Sequence, residues 1–217
     1  MRRRLYLMRH AEVSYVGERD PEVVRLTERG LEQAAAAHTA LEDVSFDLVW
    51  TSSLPRTVET ASVVAPGLEP QQWPEFDEWR GGRLDAIPPE ELEQVFVGSL
   101  QIRDEEARFL GGESLGEALD RVLPAFERLL TEEWETALAV FHGGVNRILI
   151  SHALAGGRTY FGNFEQAPAC INVLDHGDKG WIVRTVNYIP YDPLHPARTT
   201  TMEHLWSELK AWLDERA

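Results

Sequence analysis

Short apolar runs alternate along the chain with longer segments in which apolar residues recur at helical spacing. The runs have the length of strands and lie at residues 3–9, 46–50, 137–141, 170–174 and 181–186. Helical spacing or helix-start signals mark residues 27–41, 55–64, 89–97, 99–109, 114–130, 145–155 and a last helix from about residue 200. This alternation predicts the α/β class: a three-layer, doubly wound, mostly parallel sheet with helices on both faces.

Residues with known capping preferences mark the start of several helices. Thr27 precedes the first helix, and Pro55 stands in the first turn of the second. Ser114 and Glu117 form the S-x-x-E pattern of a capping box ahead of a strongly amphipathic segment. These signals predict where the helices begin more sharply than the apolar spacing alone.

The chain contains no repeat, low-complexity tract or linker that would divide it, so we expect one domain over residues 1–217. Within residues 66–110 lies a stretch rich in glycine, proline and acidic residues, and we interpret this part as an insertion that faces the substrate. Residues 188–217 form a proline-containing tail and the last helix. The apolar stripe of that helix suits packing on its own domain or a homodimer interface.

Charge and cysteine content narrow the class of protein. The formal net charge is −15 and the only basic run is residues 2–4, so a nucleic-acid partner is not expected. Cys170 is the single cysteine, which excludes an intramolecular disulfide and favours a reducing, cytoplasmic setting. Since no apolar run approaches about 18 residues, a membrane partner is not expected either.

Basic and imidazole side chains follow three of the predicted strands. Arg9 and His10 end the first strand, His142 follows the strand at 137–141, and Arg56 opens the helix after the second strand. Because the carboxyl ends of parallel strands meet at one edge of a sheet, we expect these four side chains to lie together. Two arginines and two imidazoles at one edge predict a pocket for a phosphate group.

A phosphomonoester bound in this pocket could react without a metal ion or other cofactor. The imidazole of His10 would attack phosphorus and become a phosphohistidine. Arg9, Arg56 and His142 would hold the phosphoryl oxygens and stabilise their charge. The leaving alkoxide needs a proton, for which Glu78 is the first choice. The rival carboxyl groups are Glu75, Asp77 and Asp85.

Three further residues are expected to support the pocket: Glu12, Ser53 and Gly143. We interpret Glu12 as a group that positions the pocket rather than one that transfers a proton. Ser53 belongs to the segment that leads to Arg56. Gly143 opens a helix, and backbone N–H groups at a helix N-terminus favour an anion.

Together these residues resemble the histidine phosphatase superfamily, also called phosphoglycerate-mutase-like. The ordered blocks of that family correspond here to R-H-A-E at 9–12, L-T-E-R-G-L-E-Q-A at 26–34, S-S-L-P-R-T-V-E-T-A at 52–61, E-W-R-G-G at 78–82, G-E-S at 112–114 and F-H-G-G-V-N-R at 141–147. The similarity covers roughly residues 4–187. It implies the phosphoglycerate-mutase-like fold, a phosphorylated His10, and a phosphate pocket of Arg9, Arg56 and His142 with Glu78 as proton donor.

Departures from the family pattern favour its phosphatase branch over a mutase. Val13 replaces a common Thr or Ser, and Gly17 stands where many members carry an Asn that contacts phosphate, whereas Ala11 in place of glycine is tolerated. We therefore expect a histidine acid-type phosphatase that acts on a small phosphorylated metabolite and releases inorganic phosphate. The open alternatives are a phosphoglycerate-type mutase, a protein phosphohistidine phosphatase and a non-catalytic phospho-ligand-binding module.

Overall fold

The computed structural model describes residues 2–15, 20, 22–82 and 87–215. Its strands are β1 (Arg3–Arg9), β2 (Leu48–Thr51), β3 (Gln71–Gln72), β4 (Thr136–Phe141), β5 (Ile171–Gly177) and β6 (Gly180–Tyr188). Its α-helices are α1 (Glu28–Ala40), α2 (Pro55–Val64), α3 (Leu92–Val97), α4 (Leu115–Leu129), α5 (Gly143–Ala155) and α6 (Thr201–Asp214).

The strands form one sheet in the order β3-β2-β4-β1-β5-β6. Both β1 and β2 pair with β4 in parallel, β3 extends this parallel set beside β2, and β5 pairs antiparallel with β1 and with β6. The predicted α/β fold with a mostly parallel sheet is therefore confirmed. Because Arg9 of β1 lies opposite Phe141 of β4, the residues that follow these two strands leave the sheet side by side.

Each face of the sheet carries its own apolar core, since successive side chains of a strand point to opposite faces. Leu5, Leu7 and Phe141 pack with residues of α4 and α5 on one face. Met8 and Val140 pack with residues of α1 and α2 on the other face. Helices on both faces give the predicted three layers.

The predicted helix starts at Thr27 and Ser114 are confirmed by their hydrogen bonds. The Thr27 hydroxyl accepts the Gly30 backbone N–H at 2.9 Å. The Ser114 hydroxyl accepts the backbone N–H of Glu117 at 3.1 Å, and the Glu117 carboxylate accepts the backbone N–H of Ser114 at 2.8 Å. Pro55 is the first residue of α2, where its missing N–H removes no helical bond.

The segment that precedes α4 differs from its prediction. The helix predicted over 99–109 is wrong: one 3-10 turn spans Gly98–Gln101 and another spans Phe109–Gly111. The backbone N–H of Phe109 donates to the carbonyl of Glu113, at 3.1 Å, rather than to a residue four positions earlier. A continuous helix over 99–109 would not make this bond to a residue beyond the segment.

The insertion predicted over 66–110 contains β3 and α3. Strand β3 was not predicted, because two exposed glutamines carry no apolar pattern. The backbones of Gly82 and Gly112 lie too close together for a side chain at either position. A Cβ built on Gly112, for example, would lie 2.4 Å from the carbonyl oxygen of Arg80. This contact joins the insertion to the segment just before α4. The single domain over 1–217 and a substrate-facing role for the insertion stay predictions.

The last helix packs against α3 of the same chain. The ring centroids of Phe96 and Trp206 are 6.2 Å apart, although α6 has no fully buried residue within Thr201–Asp214. Packing on its own chain is therefore observed, and a homodimer stays a prediction. Among the helices in the described part of the chain, none is long and apolar enough to cross a membrane.

Candidate active site

Two histidines meet where β1 and β4 end. His10 follows β1, and its backbone N–H donates to the carbonyl of Phe141, the last residue of β4, at 2.9 Å. His142 comes directly after Phe141. The parallel register therefore brings the two imidazoles together, with ring centroids 5.1 Å apart and ring planes inclined by 63°.

His10 is held with one ring nitrogen already bonded. Its Nδ1 lies 2.7 Å from the backbone carbonyl oxygen of Ala11, and a carbonyl can only accept, so Nδ1 carries the proton. The lone pair of the neutral ring is then on Nε2. Burial lowers the pKa of His10 well below its usual value, and the charges of Arg56 and Arg9 lower it further. The imidazole is consequently neutral near pH 7.

His142 contacts the loop that leads into α2. Its Nε2 lies 2.8 Å from the hydroxyl of Ser52, and that hydroxyl also accepts the backbone N–H of Leu54 at 3.2 Å. Burial lowers the pKa of His142 well below its usual value, with smaller effects from Arg56 and His10. The buried Nδ1 of His142 has no hydrogen-bond partner among the described residues. A polar group of a bound ligand could form the missing hydrogen bond to this atom.

Two buried arginines complete the predicted four-residue cluster. Arg9 is 8% exposed and Arg56 is 3% exposed. Nη1 of Arg9 donates to the backbone carbonyl of Gln166 at 2.7 Å, while its Nε is buried and lacks a partner among the residues described. Arg56 lies in the first turn of α2, with its guanidinium 5.9 Å from the ring centre of Tyr15. Buried guanidinium groups next to imidazoles favour an anionic ligand.

Glu78 is the candidate acid that lies beside the histidine segment. One carboxylate oxygen of Glu78 accepts the backbone N–H of Gly144 at 3.1 Å and that of Trp79 at 2.8 Å. A Cβ built on Gly144 would lie 2.7 Å from this oxygen, so the absence of a side chain allows the contact. Glu78 therefore reaches the N-terminus of α5, two residues after His142.

The rival carboxyl groups are occupied elsewhere or not described. Both oxygens of Asp77 accept the hydroxyl of Ser53, at 2.7 and 2.9 Å. The carboxylate of Glu75 is hydrogen-bonded to Arg128. Asp85 and Gly17 lie outside the described residues. Among the three candidates that the structure describes, Glu78 is the one whose carboxylate lies at the start of α5.

The three supporting residues lie in different surroundings. Glu12 accepts the hydroxyl of Thr27 at 3.1 Å, which ties the loop after β1 to the start of α1. Ser53 bonds Asp77 and anchors the insertion, whereas the neighbouring Ser52 is the serine that contacts His142. Gly143 opens α5 between the histidine and Gly144.

A cleft lies beside Arg9, between the insertion and α6, and the buried side chains of His10, Arg56 and His142 are not among the residues that line it. Its walls come from β1, the insertion, α5, the loop after α5 and the start of α6. The lining residues are Arg9, Glu78, Trp79, Ser99, Leu100, Phe109, Gly143, Gly144, Arg147, Tyr160, Thr201 and Met202. The described residues contain no group of three or more His, Cys, Asp or Glu side chains arranged to hold a metal ion.

A family model for the histidine phosphatase superfamily, branch 1, matches residues 5–189. The chain belongs to this superfamily. The matched range agrees with the similarity expected over residues 4–187, so the predicted family is confirmed.

Individual relatives agree with this membership. Fructose-2,6-bisphosphatase of Saccharomyces cerevisiae is 30% identical over 155 residues, which cover 68% of this chain and 33% of that protein. The chain thus spans about a third of the length of the curated relatives it matches. The structure of the alpha-ribazole phosphatase from Shigella flexneri is 30% identical, with a TM-score of 0.69 over 85% of this chain and 96% of that one. Both of these relatives are phosphatases by name.

A mutase structure shares the fold at lower identity. Phosphoglycerate mutase from Bacillus anthracis is 19% identical, with a TM-score of 0.69 over 88% of this chain and 95% of that one. This likeness concerns the fold alone and confirms the predicted phosphoglycerate-mutase-like architecture.

Sequence reasoning missed the buried amides that hold Arg9 in place. The backbone carbonyl that accepts from Arg9 belongs to Gln166, and the Gln166 side chain donates to Asn172 at 2.8 Å. Asn172 in turn donates to the backbone carbonyl of Leu7, at 2.8 Å. One signal was available: Asn172 interrupts the apolar run at 170–174, and a buried amide needs hydrogen-bond partners.

Proposed function

We propose that the protein hydrolyses phosphomonoesters of small metabolites through a phosphohistidine formed on His10. One observation carries this proposal above the others. The neutral imidazole of His10, with its lone pair on Nε2, lies 5.1 Å, ring centre to ring centre, from His142 in a site that also contains two buried arginines. The site thus combines a nucleophile with the positive charge needed to hold a phosphate dianion.

In the first step, Nε2 of His10 attacks phosphorus. A bond forms between nitrogen and phosphorus while the bond from phosphorus to the ester oxygen breaks. Glu78 gives a proton to the departing oxygen, so the product leaves as a neutral alcohol. Arg9, Arg56 and His142 stabilise the charge on the phosphoryl oxygens in the transition state.

In the second step, water replaces the imidazole on phosphorus. The carboxylate of Glu78, which lost its proton in the first step, takes a proton from the attacking water. The bond between Nε2 and phosphorus breaks, His10 returns to its neutral form, and inorganic phosphate leaves. One residue acts as acid and then as base, so the protein regains its starting protonation state.

The proposed reaction uses no metal ion. Cationic side chains compensate the negative charge of the phosphoryl group, a role that Mg²⁺ has in many phosphoryl-transfer sites. Activity should therefore survive EDTA. Loss of activity on chelation, with recovery on addition of Mg²⁺, would contradict this part of the proposal.

A panel of phosphorylated metabolites tests the reaction. We expect release of inorganic phosphate, a phosphoenzyme that is labile in acid and stable in base, and loss of both in His10→Ala. His204→Ala is a matched control, because His204 is exposed on α6 and its Nε2 lies 3.5 Å from Glu208. Its activity should equal that of the wild type.

Other products would identify the alternatives. Isomerisation of the ester without phosphate release would indicate a mutase. Activity on a phosphorylated protein histidine alone would indicate a protein phosphohistidine phosphatase. Binding of phosphate esters with no turnover would indicate a binding module.

A further inference from the structure

The proton of the neutral His142 ring can be located from the hydrogen bonds around it. Nε2 of His142 lies 2.8 Å from the hydroxyl oxygen of Ser52, whereas the buried Nδ1 has no hydrogen-bond partner among the residues described. A neutral imidazole carries a proton on one nitrogen and a lone pair on the other. The nitrogen that has the proton decides whether Nδ1 can donate to a phosphoryl oxygen.

The chain of hydrogen bonds begins at Thr57, a buried residue in the first turn of α2. Its hydroxyl oxygen lies 2.8 Å from the carbonyl oxygen of Leu54 and 3.3 Å from that of Ser52. A carbonyl oxygen can only accept, so the hydroxyl proton of Thr57 is used in these contacts. The hydroxyl oxygen of Ser52, 2.9 Å away, therefore meets only lone pairs on Thr57 and has to donate to it.

Because Ser52 donates to Thr57, it has no second proton for His142. Its oxygen accepts the backbone N–H of Leu54 at 3.2 Å, and in the 2.8 Å contact with His142 the donor is then Nε2–H of the imidazole. A hydroxyl group has one donor and two acceptor sites, and this arrangement fills all three. Neutral His142 therefore has its proton on Nε2 and its lone pair on Nδ1.

This tautomer has a consequence for anion binding. A lone pair on Nδ1 repels the oxygen atoms of a phosphate dianion instead of donating a hydrogen bond to them. An anion that contacts Nδ1 binds well only after this nitrogen gains a proton. The ring then becomes an imidazolium that donates to Ser52 on one side and to the anion on the other.

The surroundings of His142 keep the ring neutral until an anion binds. Burial lowers the pKa of His142, and four neighbouring positive or titratable groups lower it further. These groups are Arg56 on α2, His10 and Arg9 at the end of β1, and Arg121 on α4. The nearby carboxylate of Glu78 accepts the backbone N–H of Gly144, two residues after His142. An anion bound among the cations supplies the negative charge that stabilises a proton on Nδ1.

Resting on the phosphatase function proposed above, we propose that Ser52 and Thr57 are positioning residues that fix the tautomer of His142. Their hydroxyl groups hold the ring proton on Nε2, so the site takes up one proton on Nδ1 when a phosphate ester binds. This proton comes from solvent and returns to it when inorganic phosphate leaves. The charge of the transition state is therefore stabilised by an imidazolium rather than by a neutral ring.

¹⁵N NMR of the imidazole nitrogens tests the tautomer in the wild-type protein, with His142→Asn to identify the signals. Tungstate is the probe, because it is a tetrahedral dianion that carries no proton of its own near neutral pH. We expect the free protein to have a proton on Nε2 of His142 and none on Nδ1, and the tungstate complex to have protons on both. A proton on Nδ1 in the free protein, or an unprotonated Nδ1 in the complex, would overturn the assignment.

Thr57→Val tests the hydroxyl groups, because it removes the acceptor of the Ser52 proton. Ser52 can then donate to Nε2 of His142, which places the ring proton on Nδ1 and makes proton uptake unnecessary. Between about pH 7 and pH 9, the tungstate affinity of the wild type should fall more steeply than that of Thr57→Val, by about 10-fold per pH unit, the value for one proton. Thr57→Ser, which keeps the hydroxyl group, should keep the wild-type slope.

Thr39→Val is the matched control, because it removes a hydroxyl group that donates to the carbonyl of Ala35 on α1, at 3.2 Å. It should keep the wild-type slope. Equal slopes in the wild type and Thr57→Val, or a shallow slope in Thr57→Ser, would overturn the role of the hydroxyl groups. The NMR measurement on the wild type decides the tautomer even if Thr57→Val does not fold.

Neither measurement requires turnover, so this inference and the proposed function can fail separately. Hydrolysis of phosphate esters by a protein whose free His142 has its proton on Nδ1 rejects the positioning role and leaves the phosphatase function standing. Proton uptake with tungstate but no hydrolysis of any ester rejects the phosphatase function and leaves the positioning role standing. Failure to bind tungstate rejects the anion pocket on which both depend.

Discussion

Replacing Gly144 by alanine should separate the role of Glu78 from that of the phosphate pocket. The new methyl group would lie 2.7 Å from Oε1 of Glu78 and 3.2 Å from Cβ of Trp79. Oε1 is the far end of a flexible side chain and can move away, whereas Cβ of Trp79 has to yield by only a few tenths of an ångström. The substitution therefore displaces the proposed acid without changing its chemistry.

The size of the effect follows from the bond that is lost. The displaced carboxyl group gives up its hydrogen bond with the backbone N–H of Gly144, which is 3.1 Å long in the wild type. Because Glu78 must be protonated to act as the acid, this is a hydrogen bond to a neutral group, which contributes about 0.5–1.5 kcal/mol or about 2–10-fold in the rate of a step that depends on the position of Glu78. Stability should not fall in parallel, because alanine is favoured over glycine inside a helix by about 0.5–1 kcal/mol.

The assay compares kcat/KM for an alkyl phosphate and for 4-nitrophenyl phosphate. The alkyl ester needs a proton on its leaving group, whereas nitrophenolate leaves without one, so we expect the loss for the alkyl ester alone. Gly98→Ala is the matched control, because its Cβ would have no neighbour within 4 Å. Equal losses on both substrates would mean that the methyl group disturbs the phosphate pocket. No loss on either would refute the placement of Glu78 as the acid.

Two further predictions follow from the charged groups of the site. Glu78→Gln should slow alkyl phosphates by about 10²–10⁴-fold and spare 4-nitrophenyl phosphate, whereas Glu75→Gln, whose carboxylate bonds Arg128, should retain activity on both in the same kcat/KM assay. The pKa values of His10 and His142 are lowered in the folded state, so the unfolded chain binds more protons below about pH 6.5. Stability should therefore fall from pH 7 towards pH 5, by up to about 1.4 kcal/mol per pH unit for each histidine. Urea unfolding at several pH values would show this, and a flat profile would be inconsistent with buried, neutral imidazoles.

The position of the histidine pair could be predicted from the sequence because it depends on few assumptions. His10 and His142 each follow an apolar run, and runs that alternate with helices form parallel strands with a common carboxyl edge. The apolar pattern of the sequence does not predict the order of the strands in the sheet. In the structure, β4 lies directly beside β1. Because the two strands are neighbours, His10 and His142 are not only at the same edge of the sheet but have ring centroids 5.1 Å apart.

The choice between neighbouring polar residues could not be predicted, because it depends on small differences in direction. Ser52 and Ser53 are the same amino acid at adjacent positions, yet one contacts His142 and the other contacts Asp77. Successive residues in extended chain point to opposite sides, so a shift of one position exchanges their roles. Asp77 and Glu78 form a similar pair, since one anchors the insertion and the other reaches Gly144.

The burial of the arginines connects phosphate binding to reactivity. The whole chain carries a formal charge of −15, so its overall field repels a phosphate ester and capture depends on short-range contacts. Arg9 and Arg56 could hold a phosphate from a surface position, but solvent and salt would then screen their effect on nearby groups. In the buried site, desolvation lowers the pKa of His10, and the charges of Arg56 and Arg9 beside it lower that pKa further and keep its lone pair available. The arrangement that attracts the anion is therefore also the one that keeps the nucleophile neutral.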